Sequence, residues 1–246
     1  LAELVGGSEA AFAEKMNAEA ARLGLANTRF VNATGLSHPQ HYSTAADLAR
    51  LAAALIRDFP DNYQLYSLRE YRYNNITQPN RNRLLWTDPT VDGVKTGHTE
   101  AAGWCLIASA LRGDRRVLAV VLGASSDAAR ASEAQKLLNW GFQAFDTVQL
   151  YQSGKQVTTL RVWKGDRPEV PAGFLADRYL TLPKGKADKL QLTMQAVEPL
   201  VAPIARAQPV GTVKVALEGK PVAEFPLIAL EDVAPASLFG RAWDTV

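Results

Sequence analysis

The punctuation of this chain changes at Phe145, and that change limits what it can fold into. Beyond it, glycine or proline recurs at short intervals, at Gly154, Gly165, Pro168, Pro171, Gly173, Pro183 and Gly185. Neither suits a helix interior, because proline lacks an N–H to donate and glycine loses the most backbone entropy on ordering. Between them lie short β-capable runs, among them Arg178–Leu182, Leu190–Ala196 and Thr212–Leu217, with Glu218-Gly219-Lys220 as a turn between two such runs. The pattern predicts an all-β half.

Before Phe145 the spacing is different. Over residues 8–23, Phe12, Met16, Ala20 and Leu23 fall on one helical face, with Ser8 placed to cap the start and Gly24 to end it. A second helix starts near Thr44, where Thr44-x-x-Asp47 matches a capping box, and Pro60 stops it. Its apolar face is Leu48, Leu51, Ala52, Leu55 and Ile56. Residues 104–111 and 116–122 are apolar runs joined by Arg112-Gly113-Asp114-Arg115, which predicts an antiparallel hairpin. A long helix from about Asp127 would set Ala134, Leu137, Leu138, Gly141, Phe142 and Phe145 on one side. The expectation is an α/β domain over residues 1–146 followed by a β-sandwich over 147–246, with the boundary near 145–150.

Charge and hydropathy remove several function classes. The 27 basic and 25 acidic side chains leave a net charge of +2, which gives no electrostatic case for nucleic acid. No apolar run reaches the 18 residues of a membrane-spanning helix. The opening Leu-Ala-Glu-Leu-Val-Gly-Gly has neither a basic stretch nor an apolar core, so no signal peptide is expected there. Cys105 has no second cysteine to pair with, and its apolar neighbours predict a buried core residue. His38 and His41 stand three apart with Asp47 nearby, but Pro39 breaks any helix that would align them; a solvated loop is expected, and neither metal nor cofactor is.

The segment that carries chemistry is Val91-Asp-Gly-Val-Lys-Thr-Gly-His-Thr99. Its Lys95-Thr96-Gly97 triplet is expected on a strand, where Lys95 offers an ammonium, Thr96 a hydroxyl, and Gly97 an approach unobstructed by a Cβ. An ammonium beside a substrate carboxylate stabilises negative charge and can relay a proton to a leaving amine. Three such common residues also recur by chance, and an exposed strand lysine is the plain alternative. The surrounding sequence decides between them. Phe30–Gly35, Tyr42–Arg57, Tyr71–Trp86 with Asn80-Arg81-Asn82, Val91–Thr99 and Lys136–Phe142, and more faintly Pro226–Gly240, together resemble the D-alanyl-D-alanine carboxypeptidases of the penicillin-binding-protein family.

The resemblance implies an α/β penicillin-recognising, serine β-lactamase-like domain with a β-rich stalk. It also implies a periplasmic enzyme that trims the terminal D-Ala from peptidoglycan pentapeptide through a serine ester and is acylated by β-lactam antibiotics. It assigns Lys95 and the His98 backbone amide to catalysis, and Thr96, Gly97, Arg81 and Arg130 to substrate binding, the two arginines for their fork-shaped fit to a terminal carboxylate. One departure stands out. No serine in residues 1–246 has a lysine three positions on, and none has an asparagine two positions on. In the family both motifs precede the part matching Leu1. The α/β domain is therefore expected to be incomplete, with its own N-terminal segment as a partner that brings the nucleophile. The family's inner-membrane helix is likewise expected to be absent after Gly240, since six residues make less than two turns. Two other readings remain open at this point: a β-lactamase, and a peptidoglycan-binding module without catalysis.

Overall fold

The computed structural model describes residues 1–237, and the expectations about Phe239–Val246 lie outside the described residues. The contacts divide the chain into two compact units, Leu1–Gln143 and the remainder from Ala144.

The first unit opens with α1 (Ala2–Gly6) and α2 (Glu9–Arg22). Ser8 caps α2 by accepting from the Ala11 amide at 3.1 Å. At its far end the amides of Gly24 and Leu25 close back on the carbonyls of Ala21 and Ala20, the paired bonds of a Schellman motif. The next helix, α3 (Ala45–Asp58), is capped by Thr44, which accepts from the Asp47 amide at 3.2 Å. Only half of the expected capping box forms. The Asp47 carboxylate instead accepts from the Asn27 amide and the Thr28 hydroxyl, both at 2.8 Å, and from Arg50 at 2.9 Å. Burial opposes its ionisation, but these bonds outweigh burial and hold its carboxyl below the usual range. Pro60 ends α3 and opens the short α4 (Pro60–Tyr63), where its missing N–H costs nothing.

A ribbon of β1 (Glu70–Tyr73) and β2 (Ile76–Pro79) follows, then α5 (Leu84–Thr87). The sheet of this unit is antiparallel, with β3 (Val91–Thr99), β4 (Gly103–Arg112) and β5 (Arg115–Ala124) in that spatial order. The predicted hairpin is β4–β5, closed where Arg112 pairs with Arg115. Helix α6 (Asp127–Ala144) follows.

Cross-strand alternation gives the sheet two working faces. On one, Leu106, Ala108 and Ala119 pack with Leu84, Ala134 and Leu138 from α5 and α6. On the other, Val94, Ile107 and Leu118 pack with Ala52, Leu55 and Tyr63. Two details differ from expectation. Leu137 is 42% exposed, because α6 turns its Arg130–Ala134–Leu138 stripe inward. Phe145 lies in a strand rather than on the helix.

The second unit is all β: β6 (Phe145–Tyr151), β7 (Gln156–Arg161), β8 (Glu169–Gly173), β9 (Arg178–Pro183), β10 (Leu190–Ala196), β11 (Pro209–Leu217) and β12 (Lys220–Ala229). One sheet runs β10-β11-β12-β8-β7 and the other pairs β6 with β9. Phe174, Val170, Val213 and Leu227 form the core, and Leu150, Tyr151 and Leu180 of the smaller sheet pack on it, which makes the unit a sandwich. Glu218-Gly219 makes the β11–β12 turn, with both residues at positive φ (51° and 80°) as a tight hairpin requires.

Candidate active site

Among the described residues, strand β3 has β4 on one side and no strand on the other, which makes it an edge strand. Lys95, Thr96, Gly97 and His98 occupy its second half, opposite Ile107, Leu106, Cys105 and Trp104. A cleft of about 710 Å³ lies against this stretch, walled by Thr96, Gly97 and His98, by Asn80 and Arg81 after β2, and by Arg130 at the start of α6. Five of the six candidate residues thus line one cleft, and Lys95 adjoins it on β3, near enough for the charges of Arg81 and Arg130 to act on its ammonium.

Each is held differently. The Lys95 side chain is exposed, and its ammonium donates to the Thr96 carbonyl at 2.5 Å. Its pKa is pushed below the ordinary lysine value, first by desolvation and then by the positive charges of Arg81 and Arg130. Arg81 is exposed, and no carboxylate pairs with it among the described residues. Arg130 is only 3% exposed and is fully engaged. One of its nitrogens donates to the carbonyls of Gly97 (3.1 Å) and Cys105 (3.3 Å), the other to Asp127 (2.5 Å), and the guanidinium lies 4.9 Å from the Trp104 ring centre. It thus ties β3 to β4 from the side of α6. The His98 ring stacks on Trp104 with centroids 4.0 Å apart.

Gly97 has no structural need to be glycine. A Cβ there would meet nothing nearer than the Cys105 Cβ at 3.9 Å, an ordinary contact. Gly93, four residues earlier, is the reverse case, since a Cβ there would sit 2.5 Å from the Tyr63 hydroxyl. That hydroxyl donates to Asp92 at 2.9 Å. Asp92 also accepts from Arg116 at 2.7 Å, and Arg116 reaches the fully buried Ser109 at 2.6 Å.

The expectation for Cys105 is corrected. Its side chain is half-buried because its cross-strand partner, Gly97, has no side chain to cover it. His38 and His41 lie in a loop, where their Nδ1 atoms accept from the amides of Gln40 and Val31. Trp104 under His98 and Arg83 paired with Asp127 were not singled out in the sequence, and Asn82 was given no role of its own. Asn82 stood inside a motif already singled out, and nothing in its spacing announced a role.

The family model described as D-alanyl-D-alanine carboxypeptidase matches residues 1–126, which include Arg81 and the whole of β3. The chain belongs to the D-alanyl-D-alanine carboxypeptidase family. A second model, for the C-terminal domain of penicillin-binding protein 5, matches residues 145–235. The chain is 45% identical to the D-alanyl-D-alanine carboxypeptidase DacC of Escherichia coli (strain K12) over 248 residues, which is all of this chain and 62% of that carboxypeptidase. It therefore spans about three-fifths of the length of this curated relative. Penicillin-binding protein 5 of Haemophilus influenzae superposes with a TM-score of 0.88 at 40% identity, over 95% of this chain and 69% of that one. Penicillin-binding protein D2 of Listeria monocytogenes, solved with cefotaxime bound, superposes over 54% of this chain and 56% of its own, at a TM-score of 0.51 and 35% identity.

Proposed function

We propose that this chain forms the substrate-binding wall and β-rich stalk of a serine-type D-Ala-D-Ala carboxypeptidase. In this reading the enzyme trims the terminal D-Ala from peptidoglycan pentapeptide in the periplasm, peripheral to the inner membrane. The observation that carries the reading is the edge strand β3, with Lys95, Thr96 and Gly97 beside a cleft that also holds Arg81 and Arg130. The substrate's backbone adds to that edge as a further strand, and a Cβ-free Gly97 lets it lie close. Its terminal carboxylate meets the Arg81 fork and the Lys95 ammonium, with the buried Arg130 charge behind them. The His98 amide donates to the oxyanion that forms when serine attacks the peptide carbonyl. As that intermediate collapses to the serine ester, Lys95 is placed to give a proton to the departing D-Ala amine, and water then hydrolyses the acyl-enzyme.

The nucleophile and its lysine lie outside residues 1–246, which contain no Ser-x-x-Lys. The domains divide near residue 146, the second serving as a spacer. β-Lactam antibiotics would occupy the same cleft, because their carboxylate and carbonyl match those of the peptide; the Listeria relative was solved with one such drug, cefotaxime, bound.

The test compares residues 1–246 with a longer polypeptide carrying the segment expected before Leu1. Both are incubated with a labelled penicillin and read by intact mass. The longer protein forms a one-to-one adduct, and its Lys95→Ala variant forms it at least about tenfold more slowly, a barrier change of roughly 1.4 kcal/mol. A stable adduct on residues 1–246 alone, or unchanged kinetics in Lys95→Ala, refutes the proposal. Rapid release of hydrolysed penicillin would instead identify a β-lactamase.

A further inference from the structure

We infer that Asn82 is a positioning residue that sets the spacing between Arg81 and the Lys95-bearing strand; the inference rests on the reading of Arg81 as a carboxylate ligand. Asn82 is 2% exposed, a rare place for an amide unless each of its polar groups is used. Here they are. Its Nδ2 donates to the Gly93 carbonyl at 3.0 Å and its Oδ1 accepts from the Leu84 amide at 3.2 Å. Its own amide donates to Asn80 Oδ1 at 2.9 Å, and its carbonyl accepts from the Leu85 amide at 3.2 Å.

Those bonds place Arg81 between two anchors. On one side Asn80 binds the carbonyls of Leu68 and Arg69, at 3.0 and 2.6 Å. On the other, Asn82 binds β3 itself. The Tyr63 hydroxyl stands 2.5 Å from where a Gly93 Cβ would be, so the strand is closely packed at the residue that Asn82 holds. Lys95 follows Gly93 by two residues on β3. The shortest path from Arg81 to Lys95 thus crosses one hydrogen bond, Asn82 to Gly93.

The site needs such a link. Arg81 and Lys95 are both cations, and Arg81 already weakens the hold of Lys95 on its proton. Like charges repel, so this interaction favours separation of the Arg81 loop from β3. A carboxylate is gripped by both only if the backbone resists that separation before the substrate arrives.

The test uses the full-length protein and two substrates, a D-Ala-D-Ala-terminated peptide with a free carboxylate and the same peptide as its C-terminal amide. The quantity read is the ratio of their kcat/KM values. Asn82→Ser keeps an oxygen that can accept from the Leu84 amide but is too short to reach Gly93. Asn82→Asp keeps the shape and sets an oxygen against the Gly93 carbonyl. Arg81→Ala should lower the ratio by about tenfold or more, and each Asn82 variant by about the same factor. The double variant Arg81→Ala/Asn82→Ser should fall no further than Arg81→Ala, because the link then has no side chain to place. A purely structural loss would lower the folded fraction, reduce both substrates equally and leave the ratio intact. If Arg81→Ala lowers the ratio and folded Asn82 variants do not, the inference alone is overturned. If Arg81→Ala leaves the ratio unchanged, the carboxylate reading of Arg81 falls and the inference with it. If neither Asn82 variant accumulates as folded protein, Asn82 serves the fold and the positioning role is rejected.

Discussion

Replacing Gly93 by alanine loads a specific defect under the Lys95 strand. The added methyl would sit 2.5, 3.0 and 3.2 Å from Oη, Cζ and Cε2 of Tyr63, where carbon contacts normally begin near 3.5 Å. Tyr63 has little room to yield. It is 6% exposed, stacks on Tyr66 with centroids 5.6 Å apart, lies under Arg116 and donates to Asp92. Relief requires a shift of about 1 Å, taken either by the ring or by β3. Overpacking of this kind costs roughly 1–3 kcal/mol. A ring shift also weakens a hydrogen bond to a carboxylate, a further ~1.5 kcal/mol or more. Alanine returns only about 0.5 kcal/mol by restricting the unfolded chain. The expected net loss is about 3 kcal/mol, which for a unit of this size lowers its melting temperature by on the order of 10 °C. Thermal and urea unfolding of Gly93→Ala, Tyr63→Phe and the double variant make a closed cycle. Tyr63→Phe deletes the nearest clashing atom, so the double variant should be more stable than the two single losses predict, by about 1–2 kcal/mol. Wild-type stability in Gly93→Ala, or strict additivity in the double variant, would refute the packing argument.

Gly97→Ala should do the opposite. With 3.9 Å of clearance it keeps or slightly raises the melting temperature, while in the longer polypeptide that carries the nucleophile, turnover of the D-Ala-D-Ala peptide falls at least about tenfold; a destabilised but fully active variant would contradict this. Lys95 gives a pH signature in the full-length protein. Desolvation, Arg81 and Arg130 lower its pKa, so kcat/KM for a free-carboxylate substrate should decline on the alkaline side at a pH below that of an ordinary lysine. Arg81→Ala removes one of the neighbouring charges, and the limb should move up in pH; a limb that stays put or moves down refutes the assignment. The stability term has the matching sign. Below its folded pKa the charged Lys95 costs stability, and the cost disappears as pH rises from that pKa towards the ordinary lysine value.

The parts of the fold legible in the sequence were those written in local chemistry. Ser8, Thr44, Gly24 and Glu218-Gly219 each sit where caps and turns demand, and the apolar runs beside Gly113 could only pair as a hairpin. What stayed hidden depends on partners far along the chain. Cys105 reads as core because the run around it is apolar, yet its exposure is set by Gly97 on the neighbouring strand. Asp47 reads as half of a capping box, but its carboxylate anchors residues 27 and 28, about twenty positions away. Arg130 was visible as a site residue through the resemblance alone. That its guanidinium is spent on two strand carbonyls and Asp127 follows only from where α6 packs.

These hidden contacts share a pattern that bears on how the cleft works. Strand β3 is gripped at Asp92 by Arg116 and Tyr63, at the Gly93 carbonyl by Asn82, and at the Gly97 carbonyl by Arg130. Between the last two grips stands Lys95, whose ammonium bonds only the carbonyl of the next residue among the described contacts. The groups that hold the strand are all hydrogen-bonded, and Asn82 and Arg130 among them are buried, so moving the backbone would break several bonds at once. Swinging the Lys95 side chain breaks one exposed bond. In the proposed reading, the strand presents a fixed backbone edge for pairing, while the Lys95 side chain can turn between the substrate's carboxylate and its leaving amine. Fixing the first while leaving the second free is what a site needs if binding and proton transfer are to use the same residue.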